Sequence, residues 1–256
     1  LWKNCPKANL VGIYDVDSDK AEKLANELDC RCFSSIDEAL NNSDAVTIST
    51  PTSLHYEHSI KCIDKGVHCF IEKPITDNYE NAKEIIKLAN EKNILVQVGH
   101  VERFNPGLSQ LSKYEMNPMF IEAHRLSQFK PRAIDVSVIL DLMIHDIDIV
   151  LWLVKSNVKS IQANGVAVLT DTIDIANARI TFENNAVANL TASRISMRQM
   201  RKMRIFQKNA YFSIDFAEKE LECYQLVDKD DNQQFGFEIG YNNKKIILEK
   251  RGVLNE

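Results

Sequence analysis

A carboxylate, an amine and a proline stand together at Glu72-Lys73-Pro74, directly after the apolar run Val67-His68-Cys69-Phe70-Ile71. Such a run reads as a buried parallel strand, and open α/β sheets bind ligands at the carboxyl ends of their strands. Far downstream, Asp141 and His145 interrupt an apolar helical stretch at a spacing of four, which puts both on one helix face. Oxidising a secondary alcohol needs a group to take the hydroxyl proton while hydride leaves carbon, and reduction needs the reverse. Lys73 can donate to the reacting oxygen and steady the charge that develops there. His145 is the candidate general acid/base, and Asp141 orients its imidazole or binds substrate. Which of Lys73 and His145 takes the proton stays open. The plainer alternatives are a surface lysine paired with Glu72 and a buried Asp–His contact with no chemistry.

The elements around these residues follow a rhythm. Leu10–Tyr14 reads as a strand ending at Asp15, followed by a helix over Ser18–Leu28 with Ala21, Leu24, Ala25 and Leu28 on one face. Ser35-Ile36-Asp37-Glu38 has capping-box spacing and opens a short helix through Leu40. Ala45–Thr50 is a strand stopped by Pro51, and the next helix runs from about Leu54 to Gly66, a left-handed C-cap. After the Val67–Ile71 strand come a helix capped at Thr76 or Asp77 and running to Lys92, and a strand over Ile94–Gly99. Strands separated by helices specify a doubly wound parallel sheet.

Beyond Gly99 one long helix, Val138–Val154, precedes strand after strand: Ser160–Leu169, Ile175–Phe182, Ala186–Ser193, Met203–Gln207, Tyr211–Phe216 and Leu221–Leu226. Lys208-Asn209 and Glu183-Asn184-Asn185 read as hairpin turns. The expected architecture is α/β, a Rossmann domain over 1–99, then an α+β domain over 100–256 with a mostly antiparallel, open-faced sheet. Asp228–Glu256 is polar and weakly patterned.

Composition narrows the function classes. A net charge of −5 argues against a nucleic-acid partner. The one basic run, Arg198 to Arg204, reads as an exposed strand edge or an anion patch. The apolar stretch Val136–Val154 carries Asp141, His145, Asp146 and Asp148, so it is no membrane span. Six cysteines without a C-x-x-C pair or zinc-type spacing predict a reduced, cytoplasmic protein and no metal site.

A dinucleotide site normally carries G-x-G-x-x-G after its first strand and an acidic residue further on. The glycine motif is absent, yet Asp15 occupies the acidic position at a strand tip before a helix. The expectation is that the first strand and glycine turn lie upstream of Leu1. Asp15 would accept from a ribose hydroxyl and repel a 2′-phosphate, favouring NAD, with NADP as the alternative. It could equally cap the following helix, as Asp17 or Ser18 could.

Seven pieces in order resemble the glucose–fructose oxidoreductase / inositol dehydrogenase (Gfo/Idh/MocA) family. They are Tyr14-Asp15, Asp44-Ala45-Val46, Thr50-Pro51-Thr52-Ser53-Leu54-His55, Gly66-Val67-His68, Glu72-Lys73-Pro74, Gly99-His100 with Arg103-Phe104-Asn105, and Asp141-x-x-x-His145. The resemblance implies hydride exchange between nicotinamide and a sugar, nucleotide sugar or cyclitol, and a cis Lys73–Pro74 bond. It places Asp15, Thr50, Pro51, His55, Glu72 and Lys73 along the cofactor, and His100, Arg103, Arg125 and Arg132 toward substrate. The segment Asp135–Asp148, with Arg125 and Phe129-Lys130-Pro131-Arg132, is similar to members that oxidise UDP-N-acetylglucosamine at C3. A homodimer or homotetramer is expected, because the open sheet face must be covered. The alternatives are a non-catalytic dinucleotide sensor or assembly protein on this fold, and a reductase of a planar substrate, which needs no Asp–His pair.

Overall fold

The computed structural model describes residues 2–131, 136–228, 236–239 and 244–251. The chain divides into two compact units, Leu1–Gly99 and His100–Glu256.

In the first unit β1 (Gly12–Ile13), α1 (Ser18–Leu28), β2 (Arg31–Cys32), α2 (Ile36–Asn41), β3 (Ala45–Ile48), α3 (Thr52–Asp64), β4 (His68–Ile71), α4 (Tyr79–Lys92) and β5 (Val96–Val98) alternate along the chain. β1 pairs parallel with β2, and β3, β4 and β5 form a separate parallel ladder. Both ladders are parallel with helices between successive strands, as in a doubly wound fold. Ile48, Ile63, Cys62, Cys69, Ile71, Ile85 and Ala89 close the core between the three-stranded ladder and α3 and α4.

Helix ends follow local chemistry. Asp17 caps α1 by accepting from the Lys20 amide, and Ser35 caps α2 through the Glu38 amide. Glu38 reaches back to the Ser34 amide, one residue short of a reciprocal capping box. Gly66, just past α3, has φ of +75°, a conformation that favours glycine. α4 is capped by Asn78, not by Thr76 or Asp77, and Thr76 Oγ1 instead donates to the Asn78 carbonyl.

The second unit opens with a 3-10 turn over Val101–Phe104 and a short α5 (Pro106–Ser109). β6 (Phe120–Leu126) follows, then a π-helical turn over Ile139–Met143 that runs into α6 (Ile144–Val154). The remaining strands are β7 (Val158–Val166), β8 (Ile175–Phe182), β9 (Val187–Ser193), β10 (Met200–Gln207), β11 (Ala210–Asp215), β12 (Glu220–Asp228), β13 (Gly236–Ile239) and β14 (Lys244–Arg251). They form one nine-stranded sheet ordered β13-β14-β12-β11-β10-β6-β9-β8-β7, antiparallel except for the β6–β9 pair. Period-2 alternation sends Ile121, Ala123, Ala188, Leu190, Met203, Ile205, Phe212 and Ile214 to one face, where they meet Ile149, Val150 and Leu153 of α6. The other face is open.

Four expectations change. The helix over Val138–Val154 begins as a π turn, so Asp141 and His145 do not share one continuous α-helix. The basic run belongs to β10, an interior strand, where Lys202 pairs with Asp215 at 3.1 Å and Arg204 with Glu122 at 3.2 Å. β6 joins the sheet although its sequence carries Glu122, His124 and Arg125. The polar C-terminal segment contributes β13 and β14. Among the described residues no helix is long and apolar enough to cross a membrane.

Candidate active site

In the first unit the carboxyl ends of the parallel strands gather the expected cofactor residues. Asp15 follows β1 and is exposed, its Oδ1 accepting from the Asp17 amide at 2.9 Å. Asp17 is committed to the α1 cap, so of the two acids Asp15 is the one presented at the strand tip. Thr50 and Pro51 follow β3, and Glu72, Lys73 and Pro74 follow β4. The Glu72 amide donates to the Ile48 carbonyl at 2.9 Å, which extends the ladder one residue past the β3–β4 pair. A Cβ on Gly99 would stand 3.1 Å from Glu72 Oε2 and from the Phe70 ring, so the bare glycine backbone leaves room for that carboxylate. The Lys73–Pro74 peptide is cis, and Lys73 is half-buried.

His55 lies behind the loops that leave β3 and β4. Its ring is 1% exposed, with Nδ1 2.8 Å from the Pro74 carbonyl and Nε2 2.9 Å from the Thr50 carbonyl. It lies beneath the strand-end loops and holds their main chains. His58 Nδ1 is 3.3 Å from Thr50 Oγ1, and burial pushes its pKa below the usual histidine value.

In the second unit Asp141 is half-buried on the π turn and His145 is half-buried in the first turn of α6. π turns concentrate at functional positions because the extra residue re-aims neighbouring side chains. Acids next to His145 on α6 are each gripped by an arginine. Arg125, reaching from β6, bonds Asp146 twice, at 3.0 and 2.8 Å, and Glu102 at 2.8 Å. Its guanidinium also lies 5.5 Å from the centre of the Phe216 ring. Burial pushes the Asp146 carboxyl up from the usual range, against the pull of Arg125. Arg103 bonds Asp148 twice, at 2.7 and 2.6 Å, and His100 Nδ1 stands 3.8 Å from the same carboxylate.

The expected substrate residues are placed as follows. The Arg125 side chain is only 4% exposed and bound to two carboxylates, so it braces α6 and offers no open charge. Arg103 and His100 likewise turn to Asp148. Arg132 lies outside the described residues. Sequence reasoning also passed over Glu102 and the buried pair Asp174–Arg194. Asp174 accepts from the amides of Val168, Leu169 and Thr170, and Arg194 donates to Asp174 and to the Val136 carbonyl just before the π turn. These bonds hold the Asp174 carboxyl far below the usual range, against the effect of its burial. No local signal marks that pair, because its members are twenty positions apart.

The strand-end residues fit two parts of a dinucleotide. Asp15 offers a carboxylate at the end of β1, of the kind that accepts from ribose hydroxyls, and Glu72 and Lys73 follow the carboxyl end of β4 in the other parallel ladder. A glycine-rich phosphate turn is not among the described residues. Residues 1–100 match the oxidoreductase family with an NAD-binding Rossmann fold, and residues 113–213 match the GFO/IDH/MocA C-terminal domain. The chain belongs to the Gfo/Idh/MocA oxidoreductase family. Among its curated relatives, UDP-N-acetylglucosamine 3-dehydrogenase of Acidithiobacillus ferrooxidans is 42% identical over 218 residues, covering 85% of this chain and 70% of that one. A solved structure of that enzyme superposes with a TM-score of 0.86 at 37% identity, covering 99% of this chain and 78% of the other. The NAD-dependent scyllo-inositol 2-dehydrogenase of Bacillus subtilis is 30% identical over 215 residues, or 77% of this chain and 63% of that protein. A Chromobacterium violaceum dehydrogenase, solved with NADH and UDP-GlcNAcA, shares the fold at a TM-score of 0.73 and 19% identity, over 81% of this chain and 66% of that one. Within this Gfo/Idh/MocA chain, the first unit is the NAD-binding one.

Proposed function

We propose that this chain is an NAD-dependent dehydrogenase, working in the cytoplasm, that oxidises the C3 hydroxyl of UDP-N-acetylglucosamine or a closely similar nucleotide sugar. The observation that carries the reading is the Glu72-Lys73-Pro74 bend at the carboxyl end of β4, in a chain 42% identical to an enzyme named for that reaction. Asp15 binds the ribose, with NAD favoured over NADP. Thr50 and Pro51 line the path to Glu72 and Lys73. When bound, NAD accepts the hydride. Lys73 donates to the reacting oxygen, His145 takes the hydroxyl proton, and Asp141 holds the imidazole in the orientation that lets it do so. Arg132 contributes to diphosphate binding.

The full-length protein, mixed with NAD and UDP-N-acetylglucosamine, should show growth of NADH absorbance. With scyllo-inositol the rate should be at least about 10²-fold lower, because the site is then without the nucleotide contacts that orient the sugar. Silence across a panel of nucleotide sugars, with NADH still binding, would sink the proposal and favour a sensor on the same fold.

We also propose that a second copy covers the open sheet face. Phe120, Phe206, Tyr211 and Tyr224 form a row across four adjoining strands of that face, with ring centres 5.9, 4.8 and 5.3 Å apart. Phe206 is 39% exposed. Placing a charge in this row should weaken self-association roughly 10-fold or more, the scale of one aromatic anchor. Light scattering on Phe206→Glu would read this as a shift to the single-chain mass with the far-UV spectrum unchanged. A wild-type protein that is already a single chain at micromolar concentration contradicts it.

A further inference from the structure

We infer that His55 is a positioning residue that ties the loops leaving β3 and β4 into one edge, with one ring nitrogen turned to a main-chain carbonyl of each loop. The inference rests on the proposed dehydrogenase reading for its kinetic consequence, but not for its geometry. The ring projects from α3 into the space under both loops and is 1% exposed. Its two nitrogens lie 2.8 Å from the Pro74 carbonyl oxygen and 2.9 Å from the Thr50 carbonyl oxygen.

A carbonyl oxygen only accepts, so a hydrogen bond here is donated by a ring N–H, and the tautomer decides to which carbonyl. The buried imidazole stands between the two loops with one nitrogen turned to each carbonyl.

The carbonyls concerned belong to the residue after Lys73 and the residue before Pro51. One side chain thus sets the spacing between the proposed nicotinamide-end lysine and the loop along the cofactor path. His58, one turn further along α3, adds a contact from its Nδ1 to Thr50 Oγ1 at 3.3 Å. Thr50 is therefore held at both main chain and side chain. His55 itself is buried beneath both loops. Its effect passes through the positions of Lys73 and Thr50, where an error near 1 Å can lower a rate by about 10²-fold.

The test pairs a binding with a kinetic readout on the full-length protein. His55→Leu should lower kcat by about 10²-fold per NADH-binding molecule and weaken NADH binding. His55→Gln, which keeps an amide donor, should recover part of both. A folded His55→Leu protein that binds NADH and turns over normally overturns the inference. If no alcohol is turned over by the wild type, the dehydrogenase reading has failed, and the NADH affinities of the variants still decide the role of His55.

Discussion

Lys73→Met is expected to lower kcat by about 10²–10⁴-fold, the range that a positioned proton-transfer group contributes, while the protein stays folded and still binds NADH. Methionine keeps much of the apolar stem and removes the ammonium, so packing beside the buried Pro74 is conserved and the donor is lost. Steady-state turnover on the nucleotide sugar, with NADH affinity from fluorescence, separates the two effects. His145→Asn should fall in the same range. If both act on the reacting oxygen as proposed, the double variant should be little worse than either single one, because such residues behave as a unit. Near-normal turnover in either single variant would remove that residue from the chemistry.

The second large effect is on stability. Arg125→Met leaves Asp146 and Glu102 facing each other without their shared cation, in a site where Asp146 is 3% exposed. Removing one partner of a buried ion pair costs about 3–5 kcal/mol. For a protein of this size that corresponds to roughly a 10 °C fall in Tm, measurable by calorimetry or circular dichroism. Arg125→Met combined with Asp146→Leu should recover much of the loss, since a well-packed apolar pair often replaces a buried ion pair without penalty. If Arg125→Met melted with the wild type, the pair would not be bracing α6.

Much of the first unit was legible because its signals are local. Ala21 and Ala25 are buried at the positions their helical spacing implies, and Gly66 takes the left-handed conformation expected after α3. The second sheet was legible where apolar and polar residues alternate, as in β8 over Ile175–Phe182. β6 was missed because its alternation is disguised. Arg125 occupies a core-facing position beside Ala123, and becomes an interior residue only through Asp146 and Glu102, each more than twenty positions away. The contacts of His55 were hidden for another reason, since its partners are main-chain carbonyls that no side-chain pattern announces. The π turn at Ile139–Met143 left no trace either, since its apolar residues suit an α-helix equally well.

One ladder in the second sheet runs against the rest. β6 and β9 are parallel neighbours, so the chain that ends β6 at Leu126 crosses back before β9 starts at Val187, opposite Phe120 at the head of β6. Everything between, including Asp141, His145 and the strands β7 and β8 that extend the same sheet beyond β9, belongs to one crossover. Length or shape can change inside such a detour without shifting the pairing of the strands from β10 onward. A scaffold wired this way can vary one contiguous stretch of gene and leave the cofactor half as it stands.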